Sequence, residues 1–273
     1  MIESDGDVSK LQNCAKLDGK VTFGTGVTSV VFPSTLTSIT GDLVVSGARQ
    51  LVSLEAPGLR TIGGSFTLKE LTILSTLSFP ELVSVSDINW VTLPALQSLT
   101  FTKQITSANT VLITDTLLTS LSGISLSKAR RFNINNNRYL RNIDLPLGNV
   151  SDILIIDANG RGLNASFPEL TWANNITIRD ASDIYFPVLK AVNSSLLLIN
   201  DTFTSATFPE LTSVGESLAF VSCSKLTKID ANQLETIGGT FQIANNTKLA
   251  KVDGFKSLTQ VGGAVDLSGV FTT

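Results

Sequence analysis

Histidine is absent from all 273 residues, and charged residues make up only 16% of them. Without histidine the chain has no Ser–His or Cys–His relay, and it lacks a common zinc ligand and the usual general base near neutral pH. The net charge of −3 gives no overall attraction to nucleic acid or to anionic membranes. These absences predict a chain with no cofactor, no metal and no nucleic-acid partner.

Long apolar runs are also missing. The longest unbroken aliphatic stretches, residues 153–156 and 196–199, have four residues each, whereas a membrane-spanning helix needs about 20. The first five residues show neither the basic nor the apolar region of a signal peptide. We therefore expect no membrane span and no leader within this chain, and we expect a longer native protein.

Serine and threonine are abundant instead, at 30 and 31 residues, and they surround a repeated pattern. A leucine followed three residues later by a second apolar residue occurs eleven times, at a mean spacing of about 22 residues. Repetition at a fixed period of this length is typical of solenoids. The pairs are Leu36/Ile39, Leu59/Ile62, Leu82/Val85, Leu96/Leu99, Leu126/Ala129, Leu147/Val150, Leu170/Ala173, Leu189/Val192, Leu211/Val214, Leu234/Ile237 and Leu258/Val261.

One part of the repeat is irregular. The pair Leu96/Leu99 lies 14 residues after the third pair and 30 before the fifth, and the two intervals together equal two ordinary repeats. We place this irregularity in loops around residues 85–125. Within each cycle, Gly, Pro and Asn separate short alternating runs, which predicts two or three very short strands.

A unit of about 22 residues cannot bury its own apolar face, whereas stacked units share one core. The sequence therefore predicts a mainly β fold, a single right-handed parallel β-solenoid of about eleven coils. Residues 1–23 form the N-terminal cap, with a short helical turn near Leu11 and Cys14, and the first strand; residues 24–273 form the repeats. A leucine-rich-repeat horseshoe is the nearest alternative, but its helical return is not evident here.

The C-terminal end stops one strand into a new cycle, at residues 270–273, without a polar cap. An uncapped sheet end presents unpaired backbone groups that can associate with another chain. We therefore expect that the C-terminus is truncated and that this end can self-associate.

Aspartate and asparagine recur at the turn that closes the alternating run. A stacked calcium site is one interpretation, but calcium requires six or more oxygens converging on one point. Side chains that bond their own turn are the better interpretation. The residues assigned to this column are Asp115, Asn136, Asp180, Asp201 and Asn246.

Three stretches of the sequence resemble known families. The segment from Leu11 to Phe23, with Cys14 between them, resembles the start of receptor L domains. The repeats Phe-Pro-Glu-Leu-Thr-Ser-Val-Gly at 208–215 and Ile-Ala-Asn-Asn-Thr-Lys-Leu at 243–249 resemble fungal GPI-anchored cell-wall organisation proteins, whose sporulation-specific members act in spore-wall assembly. The resemblance extends from about residue 4 to the last residue.

This resemblance implies an extracellular glycoprotein of the cell wall or the outer surface of the plasma membrane. It also implies a preceding signal peptide, a following Ser/Thr-rich stalk with a GPI signal, and an upstream cysteine that pairs with Cys14. GPI anchoring is implied by the resemblance alone, since this chain carries no such signal.

Six Asn-x-Ser/Thr sequons fit a secreted glycoprotein, and we expect most of them to be accessible and used. They are at Asn149, Asn164, Asn175, Asn193, Asn200 and Asn245.

A candidate binding surface follows from two departures from the average coil. The residue two after each repeat leucine forms an outward column of small polar residues, in which Trp172 is the exception. An exposed Trp can stack on a sugar ring or on a partner, or it can be covered by a neighbouring loop. Five basic residues also cluster within 14 residues that hold no acid, and they form either a solvated face or an anion- or polysaccharide-binding patch. They are Lys128, Arg130, Arg131, Arg138 and Arg141.

Three functions remain open. The first is a non-enzymatic wall protein that binds wall polysaccharide or other wall proteins. The second is a receptor-type ligand-binding ectodomain, and the third is a polysaccharide-degrading enzyme, because parallel β-helices host such enzymes. The enzyme requires convergent carboxylates, and the only local concentration of acids shows no paired motif. Those acids are Asp152, Asp157, Asp180 and Asp183.

Cys14 and Cys223 are expected not to form a disulfide with each other. They lie 209 residues apart, which is about nine coils. At about 4.8 Å per coil the two residues are roughly 40 Å apart, whereas a disulfide needs Cα atoms within about 7 Å. Peptide mapping under non-reducing conditions should recover the two cysteines in separate peptides. A linked Cys14–Cys223 peptide would contradict both this prediction and the solenoid.

Overall fold

The computed structural model describes residues 1–271, so that Thr272 and Thr273, the end of the predicted repeat region, lie outside the described residues. It contains one short helix, α1 (Asp5–Ser9), and 27 strands. No helix within residues 1–271 is long and apolar enough to cross a membrane. The strands are β1 (Lys16–Leu17), β2 (Val21–Thr22), β3 (Ser29–Val31), β4 (Ser38–Ile39), β5 (Leu43–Ser46), β6 (Ser53–Glu55), β7 (Thr61–Lys69), β8 (Thr76–Ser78), β9 (Ser84–Leu93), β10 (Thr110–Thr116), β11 (Lys128–Asn135), β12 (Asn142–Asp144), β13 (Asn149–Asp157), β14 (Asn164–Ser166), β15 (Trp172–Ala173), β16 (Ile176–Arg179), β17 (Asp183–Tyr185), β18 (Ala191–Val192), β19 (Leu196–Ile199), β20 (Ser205–Thr207), β21 (Ser213–Val214), β22 (Leu218–Val221), β23 (Lys228–Asp230), β24 (Thr236–Ile237), β25 (Phe241–Ala244), β26 (Gln260–Val261) and β27 (Val265–Ser268).

The strands form parallel coils, which confirms the predicted mainly β solenoid. Most strands pair with their counterpart one coil later, about 22 residues along the chain, as in β4 with β7 and β16 with β19. The coils number about twelve, against the eleven expected. The additional coil begins at the N-terminal end, where Lys16 and Leu17 of β1 pair with Ser38 and Ile39 of β4.

The chain separates into two compact units. The first consists of Met1–Ala129 with Ile134–Leu140, and the second of Arg130–Asn133 with the chain from Arg141 onward. The change from one to the other falls within strand β11. A single continuous domain from residue 24 onward stays a prediction.

The first unit corrects the irregular repeat. Ser84 pairs with Ser107, and the Thr106 amide donates to the Val83 carbonyl at 2.9 Å. The pair in register with Leu82/Val85 is therefore Ile105/Ala108, and the assignment of Leu96/Leu99 was wrong. Leu96 instead lies at a different turn of the coil, where its amide bonds to the Leu93 carbonyl as Leu74 does to Leu71.

The N-terminal cap is helical, as predicted, but the helix lies earlier in the chain. Helix α1 covers Asp5–Ser9, whereas residues near Leu11 and Cys14 form turns. The Asp7 carboxylate accepts hydrogen bonds from the Lys10 ammonium at 2.6 Å and from the Ser4 amide at 3.1 Å. The hydrogen bonds from Lys10 and from the backbone amides of Glu3 and Ser4 hold the pKa of Asp7 well below its ordinary value.

In the second unit the outward column is confirmed residue by residue. The Cα register aligns one residue from each of β13, β15, β18, β21, β24 and β26, so the side chains of this column succeed one another at about 4.8 Å. These residues are Asn149, Trp172, Ala191, Ser213, Thr236 and Gln260.

The interior is built from ladders of like residues. Phe186 lies between Phe167 and Phe208, with ring centroids 5.5 and 5.9 Å away and nearly parallel planes. Trp90 is fully buried and stacks on Phe101, with ring centroids 6.0 Å apart. Because each buried Leu or Phe contributes about 1.5–3 kcal/mol, these ladders account for most of the cohesion between coils.

Glycines follow several of the repeat pairs because the backbones of successive coils nearly touch there. A Cβ at Gly215 would lie 1.9 Å from the Asn193 carbonyl oxygen, and a Cβ at Gly238 would lie 2.0 Å from the Gly215 carbonyl oxygen. No side chain fits such a gap. The amide of each glycine instead bonds to a carbonyl of the preceding coil.

The Asx column divides into two adjacent positions, which the sequence had merged. Asp115, Asn136 and Asp180 lie at a corner with positive φ between 55° and 62°, together with Asn200 and Asn245. The residue after each corner belongs to a second, buried position. Asp201 and Asn246 are in this buried position and were therefore assigned one residue out of register.

Asparagine in the buried position closes the turn of the preceding coil. The Asn246 side chain accepts from the Cys223 amide and donates to the Phe220 carbonyl, both at 2.8 Å. Asn137 likewise accepts from the Thr116 amide and donates to the Ile113 carbonyl. These bonds satisfy backbone groups that would otherwise be buried without partners.

In two other coils the same buried position is occupied by Asp201 and by Cys223 in place of asparagine. The Cys223 thiol lies 3.6 Å from the Leu198 carbonyl, and burial together with the charge of Asp201 raises its pKa to about 12. Cys223 thus serves as a small residue of this turn. Asp201 accepts from the Ala181 amide at 2.8 Å through Oδ1, whereas its buried Oδ2 has no partner among the described residues.

Asp201 should make the free energy of unfolding depend on pH. Burial, with the nearby charge of Asp180, raises its pKa from 3.8 to about 8 despite the hydrogen bond from Ala181. Between these pH values the folded state keeps a proton that the unfolded state releases, so stability falls as the pH rises from about 4 to about 8. Between pH 5 and 7 this group alone should cost about 2–3 kcal/mol.

Asp201→Asn should remove this dependence and raise stability at neutral pH, because Asn supplies the amide donor that Asn137 and Asn246 use. Urea unfolding at pH 5 and pH 7 measures both effects. Asp253→Asn, which makes the same substitution at an exposed position, is the control. Equal pH slopes for the parent and Asp201→Asn would contradict the prediction.

Candidate functional site

The six sequons fall into two groups by exposure. Asn149, Asn193, Asn200 and Asn245 are exposed, whereas Asn164 and Asn175 are half-buried. In Asn164 and Asn175 the side-chain oxygen is buried and has no hydrogen-bond partner within residues 1–271. The glycosylation of all six stays a prediction, and the geometry favours the four exposed sites.

Trp172 lies in the outward column of the second unit and is half-buried. Its register neighbours are Asn149, which is exposed, and Ala191, which has a small side chain. A large indole next to an alanine leaves part of its ring face open to solvent. The side chain is therefore placed to contact a ligand by stacking.

The basic residues are distributed between the two units, and all five are exposed. In the second unit, Arg130 and Arg131 both face Asp152, at 3.1 and 3.6 Å. Asp152 lies one coil later and partly neutralises a cluster that appeared free of acid in the sequence. Exposed ion pairs of this kind contribute little stability, so the two guanidinium groups are available to exchange partners.

Asp152 also connects the arginine pair with the neighbourhood of Trp172. Its backbone carbonyl accepts a hydrogen bond from the Asn174 side chain at 3.2 Å, and Asn174 follows Trp172 by two residues. Within the second unit, Asn174 and Asp152 thus connect the strand of Trp172 with Arg130 and Arg131, and we call these three residues, Trp172, Arg130 and Arg131, the Trp172 surface. Arg141 belongs to the same unit.

The other two basic residues, Lys128 and Arg138, belong to the first unit. The Arg138 guanidinium lies 5.0 Å from the centre of the Tyr139 ring, within the range of a cation–π contact. Their participation in the predicted patch stays a prediction.

The acids weighed for catalysis have structural contacts. Asp152 faces the two arginines, and Asp180 accepts a hydrogen bond from Asn200 at 2.5 Å. Residues 1–271 contain no group of three or more Cys, Asp or Glu side chains arranged to hold a metal ion.

A groove in the second unit was not predicted from the sequence. Strands β12, β14 and β17 form one small sheet, and β20 and β23 form another, so the ladder is interrupted between β17 and β20. A cavity of about 670 Å³ lies at this interruption. We call it the Tyr185 groove; six of its lining residues are Asn164, Ser166, Asp183, Tyr185, Ser205 and Thr207.

One signal for this groove was present in the sequence. Tyr185 is one of only two tyrosines, and it occupies the outward position before a Phe-Pro step. The register aligns it with Ser166 one coil earlier. The break in the ladder has no counterpart in the residue pattern, because β17 and β20 alternate like the other short strands.

Comparison with known proteins found relatives that cover nearly the whole chain. A cell surface GPI-anchored protein of Arthroderma benhamiae is 35% identical over 273 residues, which are 100% of this chain and 70% of that protein. Cell wall mannoprotein PST1 of Saccharomyces cerevisiae is 39% identical over 271 residues, 99% of this chain and 60% of the relative. The chain belongs to this fungal family of GPI-anchored cell-surface and cell-wall proteins.

The family also includes sporulation-specific protein 2 of S. cerevisiae, which is 33% identical over 273 residues. These are 99% of this chain but only 54% of that protein, so the chain spans about half of its length. The resemblance predicted from residues 208–215 and 243–249 is thereby confirmed. No family model matches the chain, and no solved structure matches it.

Glycan occupancy should follow the exposure of each sequon in the folded chain, because the first sugar needs open space around the amide. We expect high occupancy at Asn149, Asn193, Asn200 and Asn245, and lower occupancy at the two half-buried sites. Enzymatic removal of glycans in heavy-oxygen water, followed by mass spectrometry of peptides, measures each site. Full occupancy of Asn164 and Asn175 with empty exposed sites would contradict this expectation.

Proposed function

We propose that the chain is part of a non-enzymatic extracellular glycoprotein that acts in organisation of the fungal cell wall or spore wall. Its relatives are named as cell-wall, GPI-anchored cell-surface and sporulation-specific proteins. These names support a location in the wall or at the outer surface of the plasma membrane, with GPI anchoring through the longer native chain. The role is binding of wall polysaccharide or of other wall proteins.

The Trp172 surface is the observation that carries this proposal. A half-exposed indole offers an apolar face to the C–H side of a sugar ring. Arg130 and Arg131, whose shared partner Asp152 is half-buried, offer guanidinium donors to hydroxyl or anionic groups beside the indole. Short strands stacked on a packed core hold these side chains in fixed positions.

A receptor-type ectodomain remains the second candidate, since the receptor L-domain resemblance applies to any extracellular ligand. A polysaccharide-degrading enzyme is the weaker third candidate. A glycosidase positions two free carboxyl groups on either side of the scissile bond. The contacts of Asp152 and Asp180 in the second unit argue against that use of these two acids.

Replacing Trp172, Arg130 and Arg131 together by Ala should leave the fold intact and weaken attachment to isolated fungal walls by about tenfold, equivalent to about 1.4 kcal/mol. The loss follows from removing a stacking ring and two donors. Sedimentation of the chain with purified walls over a range of concentrations measures the affinity, and thermal unfolding checks the fold.

Lys225→Ala with Lys251→Ala is the matched control, because it removes two exposed positive charges elsewhere in the same unit. It should bind like the parent. If the triple variant attaches to walls as strongly as the parent, the Trp172 surface is not the contact surface.

A further inference from the structure

We propose that the Tyr185 groove is a carbohydrate-binding subsite that takes a neutral pyranose unit, with the Tyr185 ring as its platform. The proposal deepens the proposed function by naming a ligand class for a second site. The Tyr185 groove and the Trp172 surface lie on different sheets, because β15 belongs to the large sheet and β14 and β17 to a small one.

The groove exists because the strand ladder stops. Within the small sheet, Asn164 aligns with Asp183 and Ser166 aligns with Tyr185, but β20 pairs only with β23. The large sheet continues through the same coils without interruption, as the pairing of β18 with β21 shows. The two coils are therefore hydrogen-bonded through the large sheet but not between β17 and β20. The edges of β17 and β20 present backbone donors and acceptors to the space between them.

Tyr185 is exposed over 53% of its surface. The next residue, Phe186, points the opposite way and is held in the stack between Phe167 and Phe208. Alternation along the strand thus anchors Phe186 in the core and fixes the outward position of Tyr185. A ring on a rigid strand gives a sugar a flat apolar surface at little cost in conformational entropy.

The polar lining complements the hydroxyl groups of a sugar. Ser205 and Thr207 carry hydroxyls, Asn164 carries an amide, and Asp183 carries a carboxylate, so both donors and acceptors surround the ring. A volume of about 670 Å³ lies within the range of small-ligand sites, about 300–1,000 Å³.

The charge of the lining selects a neutral ligand. Among the described residues that line the groove there is no Lys or Arg, and Asp183 is the sole charged group. Phosphate, sulfate and uronate would meet repulsion without a compensating cation. The Trp172 surface, with two arginines, has the opposite character. An extended peptide could pair with the strand edges, but the hydroxyl-rich lining and the exposed ring favour a polyol.

Two sources can supply the same chemistry. Asn164 is both a lining residue and a sequon, so the sugar can belong to a glycan of this chain or to an external polysaccharide. In the first case the glycan occupies the groove and stabilises the gap between coils. In the second case the groove holds a unit of a wall polymer.

The test uses the full chain from a host that does not N-glycosylate, titrated with a β-1,3-linked glucose hexamer and an α-1,6-linked mannose hexamer. Calorimetry gives the affinity, and saturation-transfer NMR identifies the contacted sugar protons. We expect the parent to bind one of the hexamers and Tyr185→Ala to weaken binding about tenfold or more. Tyr185→Phe keeps the ring and should stay within about twofold of the parent.

Tyr139→Ala is the matched control, because Tyr139 is the other tyrosine, is 47% exposed and belongs to the first unit. It should bind the hexamer like the parent. Thr207→Trp, which fills the groove from β20, is a second variant and should also weaken binding. It keeps the test decisive if Tyr185→Ala does not fold.

The glycosylated chain distinguishes the two sources. In a glycosylated chain whose other five sequon asparagines are changed to Gln, loss of hexamer binding means that the groove holds the glycan on Asn164, whereas binding as strong as that of the unglycosylated chain means that the sugar comes from outside. Both results support the subsite. Failure of the unglycosylated parent to bind either hexamer would overturn it. So would unchanged binding by both groove variants, or displacement of the hexamer by unrelated extended peptides.

This outcome is separable from that of the proposed function. Loss of hexamer binding with wall attachment retained would remove the Tyr185 subsite alone. Hexamer binding without any wall attachment would remove the proposed wall function and leave the subsite.

Discussion

Hydrogen bonding between successive parallel coils is the constraint on which the rest of the structure depends. Strands such as β15 have two residues and no stability of their own, so each exists only because the coils before and after it satisfy its backbone. The same bonds fix the register, and the register decides which side chains become neighbours. Asn149, Trp172 and Ala191 share one column for this reason alone.

The interior adapts to this spacing in three ways. Phenylalanines stack at the separation of the coils, glycines follow where two backbones almost touch, and after some corners a buried polar residue completes the turn of the preceding coil. Asn137 and Asn246 complete it with an amide, whereas Asp201 brings an acid into a place built for an amide. After other corners the buried residue is apolar, as is Ala181 after Asp180, so this position also accepts a side chain without an acceptor.

The sequence determined the period, the class of fold, the family and the outward column, because Leu-x-x-apolar pairs recur at the spacing of the coils. It misplaced what depends on contacts between coils. Leu96 and Ile105 are both buried, and the residues around them do not reveal which of the two continues the column of repeat leucines. The buried position lies one residue after the corner position with positive φ, so Asp201, which occupies the buried position, was assigned to the corner position. The arginine cluster appeared free of acid in the sequence because its partner Asp152 lies one coil later. The Tyr185 groove was not predicted because it results from the absence of hydrogen bonds between β17 and β20.

The interruption between β17 and β20 also bears on how the second unit unfolds. In a stack of coils, cooperativity is transmitted only between nearest neighbours, and the strength of each interface sets how far unfolding spreads. Two coils joined by the large sheet and the aromatic stack, without the bonds of a small sheet, should be coupled more weakly than two coils joined by both sheets. We therefore expect the groove to be a boundary between cooperative folding units, with amide hydrogens on its two sides exchanging with solvent in separate events.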